Sequence, residues 1–301
     1  MFISRPLTGQ DRPPAPAGLR LVRAVRGSFT GQAEFLDDAE NRARVSEYLA
    51  DMVRPYGLQA RQDLTGQSYG EMAQSLIGSA VAADEPVDLL ILAFAIHDLR
   101  PGRQTASYLA HVTPGAPMAF AICDQGSAAT FSGLRIATAY ASSAGITRAL
   151  VTVVEQAGLP YKSTARLPAE HRAVALLFDT GASDISEPAQ ARVTGIRQHP
   201  GVAPDAAGDL AAASLAALTG GRHDVELVLS AALAQAWPGH RQARVMPPGQ
   251  PSTDIWWGLV DELASDAGRP GLLVLADYDP DLRYLCLTAL ARPGTRASGR
   301  E

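Results

Sequence analysis

Residues 118–156 constrain the fold more than any other part of this chain, because two apolar segments that predict strands directly flank a segment of small residues that predicts a helix. Met118–Ile122 and Leu150–Val154 are short apolar runs, which predict strands buried on both faces. Between them, Ser127–Ser143 is rich in Ala, Ser and Thr and is followed by Gly145, which predicts a helix that ends there. Small side chains let a helix approach its neighbours closely, so we expect this helix at the centre of the fold.

The turn that leads into this helix is a candidate site for nucleophilic chemistry. A helix N-terminus presents free backbone N–H groups and the positive end of the helix dipole. Ser127 and Cys123 therefore lie where a nucleophile is favoured. Both residues have a structural alternative: Ser127 as a helix N-cap, and Cys123 as a buried apolar thiol. For a catalytic role, Cys123 reaches the pocket only if the turn rearranges.

The rest of the chain alternates strands with helices, which indicates an α/β fold with mostly parallel sheets. Further strands are predicted at Leu19–Val25, Asp88–Ala95, Ala173–Phe178, Arg192–Arg197, Glu226–Leu229, Gly271–Ala276 and Arg283–Leu290. Helices are predicted at Asp37–Val53, Tyr69–Ala83, Thr105–His111, Asp209–Leu218, Ser230–Trp237 and Thr253–Ala264. Residues 1–17 hold four prolines and few apolar anchors, and we expect them to form an N-terminal arm.

Composition limits the classes of partner. With 301 residues, 47% hydrophobic, the chain has material for a large core. A net charge of −5 gives no electrostatic reason to expect nucleic acid or an anionic membrane as partner. Two cysteines make neither a disulfide framework nor a metal cluster, and the N-terminus lacks the apolar core of a signal peptide, so we expect a cytoplasmic protein.

Several phrases in this order resemble the thiolase superfamily, and within it the β-ketoacyl-ACP synthase III branch. Asp88–Ala95 is similar to the strand D-L-I-I-V-A, and Phe120–Leu134 to D-x-x-x-A-C-x-G-F-x-x-A-L. Ser143–Val153 is similar to S-G-x-x-x-x-A-L-V-V, and Gly249–Glu262 to G-N-T-S-A-A-S-x-P-x-A-L-x-E. The resemblance implies a five-layer αβαβα fold with two similar halves, 18–165 and 166–301, each with a mixed, mostly parallel sheet.

The resemblance also implies three catalytic positions at the bottom of an acyl-chain tunnel. Members of the branch use a Cys that becomes acylated, with a His and an Asn that stabilise the enolate and oxyanion of decarboxylative condensation. In this chain the Cys position falls on Ser127, the His position on Ser230 and the Asn position on Gln250. All three depart from the family pattern, which predicts a degenerate triad.

Other residues are candidates with a structural alternative. His223 and His97 lie nearest in sequence to the predicted site, but surface or loop positions explain them as well. Asp277, Asp279 and Asp281 stand where the family has a Gly-rich turn; Asp-Pro turn chemistry accounts for them, and their side chains should narrow the pocket. Trp256 and Trp257 replace small residues of the family phrase and either plug the tunnel, face a partner or pack in the core.

Three functional hypotheses follow from these departures. The first is a non-catalytic subunit of polyketide or fatty-acid-type biosynthesis that forms a heterodimer with an active ketosynthase homologue. The second is an acyltransferase or condensing enzyme that uses Ser127 as nucleophile on acyl-CoA or an acyl carrier protein. The third is a stand-alone binding or scaffold protein. None requires a metal or a resident cofactor.

Overall fold

The structure is a computed structural model that describes residues 18–61, 63–100, 102–163, 167–181, 187–240, 242–265 and 271–294. The predicted N-terminal arm, 1–17, and the predicted boundary at residue 165 lie outside the described residues.

The described residues form ten strands and seven α-helices. The strands are β1 (Arg20–Phe29), β2 (Leu89–Ala93), β3 (Met118–Ile122), β4 (Arg148–Glu155), β5 (His171–Asp179), β6 (Ala191–His199), β7 (Val225–Leu229), β8 (Arg244–Val245), β9 (Leu272–Asp279) and β10 (Tyr284–Ala291). The helices are α1 (Ala39–Val53), α2 (Tyr69–Ala80), α3 (Thr105–Val112), α4 (Ala129–Ser143), α5 (Pro204–Thr219), α6 (Ala231–Ala236) and α7 (Asp254–Ser265). A 3₁₀ turn, Gly126–Ala128, precedes α4.

The strand order repeats once. From one edge the order is β3-β2-β4-β5-β1, and from the other it is β8-β7-β9-β10-β6, which is the same order with five added to each number. In each group β5 or its counterpart β10 runs antiparallel to both neighbours, and the other four strands share one direction. The prediction of two similar halves with mixed, mostly parallel sheets is therefore confirmed.

The two groups meet only briefly. β1 and β6 pair through Arg20 with Arg192 and Leu21 with Ala191. Because β5 lies between β4 and β1, the first group extends to Asp179, which is beyond the predicted boundary at residue 165.

A central helical layer separates the two strand groups. α4 contacts β2, β3 and β4 on one side and β6 and β10 on the other, while α7 contacts β1, β7 and β9. α2 and α3 cover the outer face of the first group, and α5 and α6 cover the outer face of the second. This arrangement is the predicted five-layer αβαβα architecture.

Small residues explain why α4 is central. Gly133 faces β2 so closely that an added Cβ would lie 3.3 Å from Ile91 Cγ2. Phe131 of α4 and Trp256 of α7 fill the space between the helices, with ring centroids 4.9 Å apart. The layer joins both strand groups in one apolar core.

The prediction of burial was correct for β4 and wrong for β3. All eight residues of β4 are buried, as expected for a strand between two neighbours inside a covered sheet. β3 is an edge strand, and the Met118 side chain is 46% exposed. An apolar run predicts a strand, but its position in the sheet depends on the pairing of distant segments.

Two general features concern the described residues only. Within them, no helix combines the length and the apolar character that crossing a bilayer requires. They also hold no group of three or more His, Cys, Asp or Glu side chains placed to bind a metal ion.

Candidate functional site

A cavity of about 590 Å³ lies where the two halves meet. Its wall is formed by the ends of β4 and β9, the 3₁₀ turn before α4, the start of α6 and the loop before α7. The three positions predicted from the resemblance, Ser127, Ser230 and Gln250, all line this cavity. Residues separated by more than a hundred positions in sequence are thus brought to one site.

Ser127 lies inside the 3₁₀ turn and is buried, with 5% of its surface exposed. Its backbone N–H donates to Asp279 Oδ2 at 3.3 Å. The N-cap interpretation of Ser127 is wrong, because Gln125 precedes the 3₁₀ turn, Ala128 precedes α4, and neither junction has a side-chain cap. The positive end of the helix is instead approached by the carboxylate of Asp279.

Ser230 and Gln250 are held by the elements that follow them. Ser230 is the N-cap of α6, and its Oγ accepts a hydrogen bond from Leu233 N at 3.3 Å. Gln250 Nε2 donates to Glu170 O at 3.1 Å, while its Oε1 has no hydrogen-bond partner among the described residues. Ser230 has no imidazole, and the amide N–H of Gln250 already donates to Glu170 O. Neither residue therefore supplies the group that the resemblance implies at its position.

Asp277 is the side chain that joins the first two positions. It lies near the end of β9 and lines the cavity, and its surface is only 3% exposed. Burial raises the pKa of the Asp277 carboxyl, and the neighbouring hydroxyls of Ser127 and Ser230 offset part of that rise. The sequence identified Asp277 only as part of a turn, whereas the structure places it beside two of the three predicted site residues.

Two further buried carboxyls line the cavity. Glu155, the last residue of β4, accepts hydrogen bonds from Ser252 N at 2.6 Å and from Thr253 N at 2.9 Å, and another from Thr253 Oγ1. Burial raises the pKa of Glu155, and these donors offset part of that rise. Its position explains how β4 is tied to the start of α7.

Asp254 is held between a cation and a second carboxylate. Its Oδ1 accepts a hydrogen bond from Arg172 at 3.3 Å, and its Oδ2 accepts one from Gln250 N at 3.2 Å. Burial, followed by the negative charge of Glu155, raises the pKa of Asp254 to about 7, although Arg172 acts in the opposite direction. Sequence reasoning missed both carboxyls; an acidic residue closing the apolar strand β4 was the one available signal.

All charged side chains that line the cavity, among the described residues, are acidic. Six carboxyl side chains belong to the lining: Asp124, Glu155, Asp254, Asp277, Asp279 and Asp281. Within the described part of the chain, no lysine, arginine, histidine or cysteine belongs to it. The site is therefore acidic, with three carboxyls buried in its interior and three nearer the surface.

Asp277 lies within β9, and the turn that the Asp-Pro chemistry predicts follows Asp279, at residues 280–283 between β9 and β10. Asp279 Oδ1 accepts hydrogen bonds from Asp281 N at 3.1 Å and Leu282 N at 3.0 Å. Gly126 makes the approach of this turn possible: its φ is +51°, and a Cβ there would overlap Asp279 Oδ2.

The cysteines and the nearest histidines lie away from the cavity lining. Cys123 is beside Asp124, and burial, with the neighbouring carboxylate, raises the pKa of its thiol. Cys286 is buried in β10, where desolvation raises its pKa strongly. His97 and His223 are exposed, and neither lines the cavity.

Trp256 and Trp257 have different surroundings, and neither lines the cavity. Trp256 is fully buried in the central layer against Phe131. Trp257 is partly buried between two guanidinium groups, with Arg26 Cζ 4.4 Å and Arg172 Cζ 4.5 Å from its ring centroid. Of the sequence alternatives, core packing is confirmed for Trp256.

Comparison with solved structures identifies the fold. The chain superposes on 3-oxoacyl-(acyl carrier protein) synthase III from Pseudomonas aeruginosa PAO1 with a TM-score of 0.62 and 16% identity, covering 93% of this chain and 100% of that one. ChlB3, an acyltransferase, gives 0.59 and 18%, covering 91% and 98%. OleA from Xanthomonas campestris gives 0.59 and 12%, covering 91% and 98%.

No protein-family model and no curated protein sequence matches the chain. At these low identities the structural similarity establishes the architecture alone. The chain therefore shares the fold of these ketosynthase III, acyltransferase and OleA structures.

Proposed function

We propose that this chain is a non-condensing, ketosynthase III-like subunit of cytoplasmic fatty-acid or polyketide-type biosynthesis that pairs with an active ketosynthase homologue. The observation that carries the proposal is the chemistry of the cavity lining. Ser127, Ser230 and Gln250, to which the resemblance assigns the Cys, His and Asn positions, line the cavity together with six carboxyl side chains, and no basic side chain among the described residues lines it.

The electrostatics of the cavity oppose decarboxylative condensation. That reaction develops negative charge on an enolate and on a tetrahedral oxyanion, which need hydrogen-bond donors or positive charge nearby. Here the Ser127 N–H already donates to the Asp279 carboxylate, and the buried carboxyl of Asp277 faces the same residue. An oxyanion at this position would meet like charge instead of donors.

The exposed edge of β3 supports pairing with a second chain. β3 pairs with β2 on one side only, and Met118 and Ala121 are exposed on it. A sheet edge with apolar side chains is suited to pair with the edge of a similar sheet. The occupant we propose is a homologous ketosynthase III-like chain, which would supply the acyl-CoA or acyl carrier protein chemistry.

Co-expression with a homologue that carries the Cys-His-Asn set tests this proposal. We expect the two chains to co-purify in a 1:1 complex, and we expect malonyl decarboxylation and acyl condensation to depend on the homologue's cysteine alone. Condensation by this chain in isolation, or a stable homodimer that does not exchange with the homologue, would contradict the proposal.

The contact of Asp277 with Ser127 favours a second candidate, an acyltransferase. A serine hydroxyl needs a neighbouring base to act as nucleophile, and the Asp277 carboxyl is the group beside it. Incubation with acyl-CoA followed by intact-mass measurement tests this function. We expect an adduct that is lost in Ser127→Ala and Asp277→Asn but kept in Cys123→Ala; an adduct that persists in Ser127→Ala excludes Ser127 as its site.

A further inference from the structure

The cavity combines negatively charged carboxyl groups with an apolar wall. An acyl chain would contact the apolar wall and leave the carboxyl groups without a partner. We propose that the cavity binds an organic cation, a ligand that carries a protonated amine on an apolar body. This inference goes beyond the proposed function, because it concerns this chain alone and holds whether or not a partner is bound.

The three buried carboxyls differ in how they are compensated. Glu155 accepts hydrogen bonds from Ser252 N and Thr253 N, and Asp254 accepts one from Arg172. Asp277 has no cation beside it, and its Oδ2 has no hydrogen-bond partner among the described residues. An uncompensated buried carboxylate is unfavourable, and a bound ammonium group would remove that cost.

A second unpartnered acceptor lines the same cavity. Gln250 is 97% buried, and its Oε1 has no hydrogen-bond partner among the described residues, since its Nε2 is already donating to Glu170 O. Two acceptors without donors, on Asp277 and Gln250, call for a ligand that donates hydrogen bonds. A protonated amine has up to three donors and no acceptor.

The remaining wall selects the rest of the ligand. Apolar side chains, among them Ile96, Val154, Leu167 and Leu282, line the same cavity. At its outer side, Asp124 and Asp281 are exposed, so the entrance attracts cations. Carboxyl groups in the interior, carboxyl groups at the entrance and an apolar wall together fit an amine that carries a hydrocarbon chain or ring.

The raised pKa values of the buried carboxyls are consistent with this ligand. In the absence of a cation, burial favours the protonated forms of Asp277 and Asp254. An ammonium group would favour their ionised forms, so binding at neutral pH should release protons. Proton release is an independent signature, because a neutral ligand in an apolar pocket would not cause it.

Isothermal titration of the full chain with matched probes tests the inference. The probes are hexylamine, hexanol and hexanoate, and benzylamine with benzyl alcohol. We expect each amine to bind at least about tenfold more tightly than its alcohol, because hydrogen bonds between charged partners are the stronger ones. Hexanoate should not bind, and titration in two buffers of different ionisation enthalpy should reveal proton release.

Asp277→Asn keeps the shape of the side chain and removes its charge, and we expect it to lower hexylamine affinity at least about tenfold. Asp84→Asn removes the same charge from an exposed position outside the cavity and should leave affinity unchanged. Circular dichroism establishes that both variants are folded. Equal binding of amine and alcohol, absence of amine binding, or unchanged affinity in a folded Asp277→Asn overturns the inference; failure to pair with a homologue does not affect it.

Discussion

Asp254 is the residue whose surroundings have the clearest consequence for stability. Its carboxyl is buried beside Glu155 and within reach of Asp277, and among the described residues Arg172 is the cation that pairs with it. The pKa of Asp254 is raised to about 7 in the folded chain, first by burial and then by Glu155. A carboxyl of this kind favours the folded state only while it is protonated.

Asp254 should therefore lower the free energy of unfolding as the pH rises from about 4 to about 7, against the rise contributed by His171 and His199, whose pKa values burial lowers. Below the unfolded pKa the contribution of Asp254 is fully present, and it is lost as the pH passes through the folded value. With allowance for solvent screening, the loss should be about 1–2 kcal/mol. Asp254→Asn should reduce this slope, and urea unfolding at several pH values measures it.

Asp84→Asn, at an exposed position, is the matched control and should keep the slope of the parent chain. Glu155 and Asp277 also have raised pKa values, so part of the slope should remain in Asp254→Asn. A slope that is the same in Asp254→Asn as in the parent chain would contradict the assignment of this effect to Asp254.

The strand–turn–helix element, from β3 to α4, carries the site because two properties of its sequence act together. Small side chains let α4 lie between the strand groups, and Gly126 lets the turn of β9 and β10 approach its N-terminus. The same approach brings the Asp279 carboxylate to the N–H of Ser127. The turn predicted to hold a nucleophile is thus also the place where the backbone N–H of Ser127 already donates to the Asp279 carboxyl.

Alanine substitution of the two glycines that flank α4 tests this close approach. Gly126 has a φ of +51° and Gly145 a φ of +68°, but a Cβ at Gly145 would meet nothing within 4 Å. Gly145→Ala should cost only the strain of positive φ, about 1 kcal/mol. Gly126→Ala adds a clash with Asp279 and should cost at least about 1 kcal/mol more. Urea unfolding measures both.

Removing the clashing side chain should recover part of the loss. In the background Asp279→Ala, we expect Gly126→Ala to be less costly than in the parent chain, because the two residues interact directly. Equal losses for Gly126→Ala and Gly145→Ala would argue against a tight contact at this turn.

At the scale of the whole molecule, the described residues form two groups of five strands with the same order. The cavity lies where the two halves meet, and the exposed edge is the outer strand of the first group. The cavity takes Ser127 from the first group and Ser230, Gln250 and Asp277 from the second half of the chain. The exposed edge, β3, belongs to the first group, whereas the opposite edge, β8, is only two residues long. If the chain pairs through a sheet edge, β3 is the longer one available.

Met118→Arg should weaken that pairing. We expect the dissociation constant of the proposed heterodimer to rise at least about tenfold, because a charge would be buried at the interface. The stability of the isolated chain should change by less than about 0.5 kcal/mol, since the side chain is exposed. Sedimentation velocity of the complex and urea unfolding of the chain alone provide the two measurements.

Tyr56→Arg is the matched control, because Tyr56 is also a large exposed apolar residue but lies far from β3 in sequence, after α1. It should leave the dissociation constant unchanged. Equal effects of the two substitutions would locate the interface elsewhere.

Local sequence patterns predict the kind and order of all the described strands and α-helices except the two-residue strand β8, and they do not predict the 3₁₀ turns on either side of α1. Periodic apolar runs end at Gly, Pro and Asp-rich turns, and these signals are local, so β2, β4, α2 and α7 are found within a few residues of their predicted bounds. The small residues of α4 also predicted its central position. The resemblance, carried by short phrases in order, assigned Ser127, Ser230 and Gln250 to one site; all three line the same cavity, and their catalytic roles stay a prediction.

Contacts between distant parts of the chain determine which of these features meet and which remain exposed. The burial of a strand depends on its neighbours in the sheet, so β3 has the composition of an interior strand and the position of an edge. The charge of the cavity depends on side chains that are far apart in sequence, such as Glu155, Asp254 and Asp277. Their pKa values arise from burial and mutual repulsion, which exist only after the two halves have folded against each other.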